Sequence, residues 1–253
     1  MLNGASQLSY DVSTAFLQGD SIKDLNAAGH HRQQVAFRPP PGVFALLHEL
    51  DPQGGWGEAA LSPDEFCIWL DKGAYGLKDA PLLWYIRFDR FLREANFKPM
   101  RHDSCVYFHL NSSSEINALL SLHVDDALAT GDETVLETLH HHMESTFGAV
   151  TSAKDDFTHY GVHVHRCVST GHVFASQKKY VDELKPLEIP KGKGDTTASP
   201  ALVTQFRSLV SAIAWAGVTS PTAQAGASLY QSCLPLPTYE QCRHLNVFLQ
   251  LVK

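Results

Sequence analysis

Apolar and polar positions along the 253 residues change period several times, and each change marks an element. Residues 8–16 read as a strand with Asp11 near its end, and the polar stretch with glycine and histidine that follows, as far as Gln34, reads as loop. Arg38-Pro39-Pro40-Pro41-Gly42 is a rigid break, and glycines and prolines crowd residues 52–63 around Trp56, so residues 39–66 are expected to be an irregular insertion. From Leu83 the spacing turns helical, with Trp84, Phe88, Phe91, Leu92 and Ala95 on one side and Arg87, Arg90, Arg93 and Glu94 on the other. Residues 104–110 and 117–124 are strands flanking Asn111-Ser112-Ser113-Ser114, a turn composition that predicts a hairpin. The second strand runs into Asp125-Asp126 and resumes at Ala127-Leu128-Ala129, which sets both acids at a hairpin tip. A helix starts near Asp132 with Val135, Leu136, Leu139, Met143 and Phe147 on one face and Gly148 at its end. Residues 159–167 and 172–176 predict another hairpin, turning at Thr170-Gly171.

Strand, helix, strand, strand, helix, strand is a split βαβ order, so the expected class is α+β, with helices on one face of an antiparallel sheet. Past Lys185, Pro186, Pro190, Gly192, Gly194 and Pro200 make a short linker, and three helical patterns follow at about 202–217, 222–233 and 238–252. Phe206, Leu209, Val210 and Ile213 form one stripe, Cys242, Leu245, Phe248, Leu249 and Val252 another, with Thr238 as a cap. The division expected is a main domain over 1–190 containing an insertion over 39–81, a linker over 191–200 and a helical module over 201–253.

Composition narrows this picture. Hydrophobic residues at 44% can supply a core, and there is no run of about 18 apolar residues and no basic, apolar leader at the start. A soluble, intracellular protein that needs no membrane is expected. Five cysteines scattered singly indicate neither a disulfide framework nor a zinc knuckle. A net charge of −7 argues mildly against a nucleic-acid partner. His140-His141-His142 would spread around a helix, and His163 with His165 lacks further ligands at metal spacing, so both groups read as structural rather than metal-binding.

The residues with chemistry in them are acids. Nucleotidyl transfer needs two hard cations held by a few carboxylates that leave positions free for substrate oxygens. Asp11 and Asp125-Asp126 would come together if their strands are neighbours in the sheet. Strand alternation turns only one of the paired acids fully toward Asp11, and Asp125 is expected to be the stronger ligand. Taken alone, an Asp-Asp turn between apolar strands is ordinarily a solvated turn.

Four ordered motifs resemble copia-type retrotransposon reverse transcriptases, the RNA-dependent DNA polymerase domain of their pol polyproteins. They are Asp11-Val12-Ser13-Thr14-Ala15-Phe16-Leu17-Gln18-Gly19 followed by Arg38-Pro39-Pro40-Pro41-Gly42, Ala74-Tyr75-Gly76-Leu77-Lys78-Asp79-Ala80-Pro81 with Trp84-Tyr85, Leu122-His123-Val124-Asp125-Asp126, and Ser176-Gln177-Lys178-Lys179-Tyr180. Phe206 to Val210 and the tail through Lys253 are similar to the helical region that follows.

The resemblance implies a polymerase palm over 1–190, partial fingers at 39–81 and a thumb- or connection-like module at 201–253. It implies that Asp11, Asp125 and Asp126 are catalytic and hold two Mg²⁺ ions, with Mn²⁺ as a substitute. It implies that Phe16 packs beneath the nucleotide sugar and selects deoxynucleotides, core packing being the alternative. Gly76, Leu77, Lys78, Asp79 and His123 would border nucleotide and template. Partners implied are an RNA or DNA template with its primer, deoxynucleoside triphosphates and other parts of a pol polyprotein, in a cytoplasmic virus-like particle or the nucleus.

The sequence departs from the family where Asp79 stands in place of a common Gln, where Leu82 or Leu83 stands in place of an Arg, and where His123 stands in place of a Tyr. The chain starts ten residues before Asp11, so an N-terminal truncation that removes most of the fingers is expected. The alternatives carried forward are a working polymerase, an inactive remnant with weak metal or nucleic-acid binding, and an unrelated two-metal phosphoesterase.

Overall fold

The computed structural model describes residues 5–253. They divide into two compact units, one ending at Ala153 and one spanning Lys154–Lys253. In the first, chain order is β1 (Ser6–Val12), α1 (Ile22–Ala27), β2 (Val35–Phe37), α2 (Val43–Leu50), α3 (Gly57–Leu61), β3 (Ile68–Leu70), α4 (Ala80–Glu94), β4 (Lys98–Pro99), β5 (Val106–Leu110), β6 (Ile116–His123), β7 (Asp126–Gly131), α5 (Glu133–Phe147) and β8 (Val150–Lys154).

A six-stranded sheet runs β4-β5-β6-β7-β1-β8, with β4–β5, β5–β6, β6–β7 and β7–β1 each antiparallel. Alternation along its strands sends Tyr10, Val12, Tyr107, Ala118, Leu120, Leu122, Ala127 and Ala129 into one core. Over them lie Trp84, Phe88, Phe91 and Leu92 of α4 and Leu136, Leu139, Met143 and Phe147 of α5, the stripes read from the sequence. The Phe147 ring joins the two helices, 5.2, 5.7 and 5.0 Å from the rings of Trp84, Phe88 and Phe91. Burying each such side chain stabilises the fold by about 1.5–3 kcal/mol. The Asp132 side chain caps α5 by accepting from the N–H groups of Thr134 and Val135. At the end of β7, a Cβ on Gly131 would stand 2.5 Å from the Asn117 carbonyl oxygen, so only glycine fits there.

Two expectations are corrected. The stretch read as loop before Gln34 contains α1, which the Ser21 side chain caps by accepting from Asp24 N–H and which buries Ile22 and Leu25. Its six residues are too few to show a helical period. The stretch 39–66 is not irregular throughout, since it holds α2 and α3 and is bracketed by the antiparallel pair β2–β3. Phe44 packs there between the rings of Trp56 and Phe66, at 6.4 Å from each.

The second unit opens with a three-stranded sheet of β9 (Asp156–His159), β10 (Val162–Arg166) and β11 (Val173–Ser176), in the order β11-β10-β9. The β10–β11 hairpin is as expected. β9 was not, and it joins β10 through Tyr160 and Gly161, both left-handed at φ 49° and 71°. Then come α6 (Lys178–Glu183), α7 (Pro200–Ala216), α8 (Pro221–Gln231) and α9 (Tyr239–Val252). The last three match the helical patterns of the sequence. Ser199 and Ser220 cap α7 and α8, and Thr238 with Gln241 makes a capping box on α9. Phe206, Val210, Ile213, Cys242, Leu245 and Leu249 form the heart of this unit's own core.

Candidate active site

Because Tyr10 and Val12 turn into the core, Asp11 between them turns to the other face of the sheet. Asp126 does the same beside buried Ala127, and the register of β1 with β7 sets Asp11 directly opposite Asp126. Asp125 sits in the two-residue turn with Val124, closed by the His123↔Asp126 pair. That turn is held from two sides. Val12 N–H donates to the Asp125 carbonyl at 3.2 Å, and the Trp84 indole Nε1 donates to the Val124 carbonyl at 2.5 Å. Val124 is β-branched yet left-handed, with φ 56°, a conformation that persists only where its surroundings impose it.

The Asp11 carboxyl feels its surroundings. Burial, then the charge of Asp126, then that of Asp125, push the Asp11 carboxyl above the usual carboxylate range, and a hydrogen bond from Thr151 on β8 opposes them. The larger of the two charge effects comes from the register partner Asp126, not from Asp125. Among the described residues no three His, Cys, Asp or Glu side chains are gathered closely enough to hold a metal ion as they stand. The donor chemistry nonetheless suits a hard cation, since two carboxylates are set opposite one another on neighbouring strands with a third in the adjoining turn.

A second cluster forms around Phe16. The half-buried Phe16 ring lies 5.0 Å from that of Tyr75, at a tilt of 53°. The loop carrying Tyr75 is tied down again where a Cβ on Gly73 would come within 3.1 Å of the Phe16 carbonyl oxygen, and where Ile22 N–H donates to the Asp71 carbonyl at 2.6 Å. Gly76 is left-handed at φ 92°, Lys78 is exposed, and Leu77 and Asp79 are half-buried. Asp79 forms an ion pair with Arg32 at 3.7 Å. On the other side of the turn, His123 is exposed and, with Leu82, Trp84, Tyr85, Leu122 and Val124, lines a cleft of about 340 Å³.

Several of these partners were not foreseen. Asp20, just past the first motif, pairs with Arg87 and Arg90 of α4 and so locks that motif to the helix. Nothing in its polar neighbourhood, Gln18-Gly19-Asp20-Ser21, signals these pairs. Thr151 and Arg32 carry no local signal at all. Among the histidines, His140 stacks on Tyr10 at 5.7 Å, and His163 and His165 share Asp156 at 2.8 and 3.2 Å.

Residues 51–197, more than half of the chain, match the family described as Reverse transcriptase (RNA-dependent DNA polymerase), and the chain belongs to that family. Within it the chain is of the copia type. It is similar to the Retrovirus-related Pol polyprotein from transposon TNT 1-94 of Nicotiana tabacum, with 28% identity over 69% of this chain and 11% of that protein. It is also similar to the Pol polyproteins from transposons RE2 and RE1 of Arabidopsis thaliana. There the identities are 26% and 25%, over 90% and 95% of this chain and 15% of each polyprotein. The chain thus spans 11–15% of the length of these relatives. The stretch matched to the family includes Gly76 to Asp79 and Asp125-Asp126, and it begins after Asp11 and Phe16. No described helix is long and apolar enough to cross a membrane.

Proposed function

We propose that this chain carries the palm of an RNA-directed DNA polymerase and adds deoxynucleotides to a primer 3′-hydroxyl at Asp11, Asp125 and Asp126. The observation that carries the reading is the Asp11↔Asp126 register pair beside the Asp125 turn, in a chain of the reverse transcriptase family. Asp11 and Asp126 would hold Mg²⁺ from adjacent strands, and Asp125 would complete the set from the turn. Bound there, two Mg²⁺ ions, or Mn²⁺ in their place, would acidify the 3′-hydroxyl and stabilise charge on the transferred phosphate and leaving pyrophosphate.

The protein's other residues position the reactants. Phe16, backed by Tyr75, offers a ring edge to the sugar and crowds a 2′-hydroxyl. Gly76 lets the backbone approach the nucleotide, and Leu77, Lys78 and Asp79 border nucleotide and template, with Lys78 free to meet a phosphate. His123, paired with Asp126 across the turn, would border nucleotide and template as well. Residues 39–81 would be the part of the fingers present, and 201–253 a thumb- or connection-like module after the linker at 191–200.

A second reading, an inactive retroelement remnant, is favoured by one observation, namely that the carboxylates do not stand as a gathered ligand set. Primer extension on an RNA template with Mg²⁺ and deoxynucleotides separates the two. Extension by the wild type that is lost in Asp126→Asn establishes the polymerase, and no extension from folded wild type establishes the remnant.

A further inference from the structure

Arg32 has donors to spare. Its guanidinium Nη1 lies 3.7 Å from Asp79 Oδ2, beyond a closed hydrogen bond, and its side chain is only 24% exposed. Its Nε is shielded from solvent and has no acceptor. Its backbone is clamped on both sides by Asn26, which accepts from Arg32 N–H through Oδ1 and donates through Nδ2 to the Arg32 carbonyl at 3.0 Å. A guanidinium carries five N–H donors, and leaving them desolvated and unpaired is costly. An anion with several oxygens would pair the guanidinium donors that the 24% exposure of the side chain leaves accessible. Lys78, exposed and adjacent to Asp79 in sequence, adds a second cation, on the loop that carries Asp79, in a chain of net charge −7. The same loop carries Tyr75, whose ring meets that of Phe16, the residue read above as crowding the nucleotide sugar.

We infer that Arg32, with Lys78, is the polyphosphate-binding cation of this site, and that Asp79 is the arm that holds Arg32 in place and limits its affinity. The inference rests on the polymerase reading for the identity of the ligand, the triphosphate of an incoming nucleotide. Asp79, which on charge alone repels that triphosphate, acts here as the partner that keeps a cation beside it.

Calorimetric titration of the whole chain with inorganic tripolyphosphate, without metal or nucleic acid, is the test. Arg32→Gln weakens binding about tenfold, the usual weight of a charge-assisted hydrogen bond. Arg32→Lys restores most of the loss, and Asp79→Asn tightens binding several-fold. Circular dichroism checks folding, and if Arg32→Gln does not fold, the Lys and Asn variants carry the comparison. Equal binding by wild type and Arg32→Gln overturns the inference, as does no saturable binding by wild type or a Lys variant as weak as Gln.

Primer extension run beside it keeps the two readings apart. A raised KM for deoxynucleotides with kcat unchanged in Arg32→Gln supports both. Extension with an unmoved KM removes Arg32 and keeps the polymerase, whereas tripolyphosphate binding lost in Arg32→Gln without any extension keeps the anion site and removes the polymerase.

Discussion

Asp11 and Asp126 are like charges set directly opposite on neighbouring strands, an arrangement that costs about 0.2–1 kcal/mol unless something intervenes. The Asp11 carboxyl is accordingly raised, by burial first and then by its two acidic neighbours. A carboxyl whose pKa is higher folded than unfolded binds more protons in the folded state. Its ionisation therefore drains stability as pH rises from the ordinary carboxylate value through the raised one, and the loss persists above. Asp11→Asn should thus melt higher than wild type at neutral pH in a chelating buffer, and the difference should vanish near about pH 3, where both states are protonated. Thermal melts at the two pH values check this, and a variant less stable than wild type at neutral pH would contradict it. Trp84 is a second residue with two tasks, filling the core and donating to the Val124 carbonyl. Trp84→Phe keeps most of the packing and loses the donor, so the unfolding free energy from urea denaturation should fall by about 1 kcal/mol and, on the polymerase reading, extension should fall with it as the turn relaxes.

Among the elements, α8 and α9 meet where Gly226 faces the Phe248 ring, and a Cβ there would come within 1.9 Å of it. Gly226→Ala should cost about 1–3 kcal/mol by overpacking, although alanine favours the helix itself, and urea denaturation reads the balance. Elements with a long apolar stripe, such as α4, α5 and α7, were legible because many buried positions repeat at one period. The Asp125-Asp126 tip was legible because apolar strands flank it. Helices α1, α2 and α3, of six, eight and five residues, were not, because so few turns leave no period to read. The candidate site was half legible. The acids announced themselves by motif, but their adjacency depends on β1 entering the sheet beside β7, over a hundred residues away in sequence. The ties from Thr151, Asp20 and Arg32 depend on that same tertiary closure, which no local pattern encodes.

At the scale of the molecule, the two units have separate cores, one around Phe88 and Leu139 and one around Phe206 and Leu245. Phe206→Ala should therefore remove about 3–5 kcal/mol from the second unit, and Leu139→Ala about 2–5 kcal/mol from the first. Amide hydrogen exchange should show the loss of protection in α7–α9 for the former and in β6, β7 and α5 for the latter, each confined to its own unit. The net charge of −7 gives this chain little general attraction for nucleic acid. On the proposed reading, binding would then come from local cations and from metal at the acids.

The most direct measurement is a Mn²⁺ titration followed by electron paramagnetic resonance, on wild type, Asp11→Asn and Asp126→Asn at neutral pH. If the opposed carboxylates are one cation site, wild type binds Mn²⁺ saturably, and either substitution weakens it by about tenfold or more through the loss of a charged ligand. Equal Mn²⁺ binding by all three proteins would contradict it, and the acids would then be a solvated hairpin tip beside a strand.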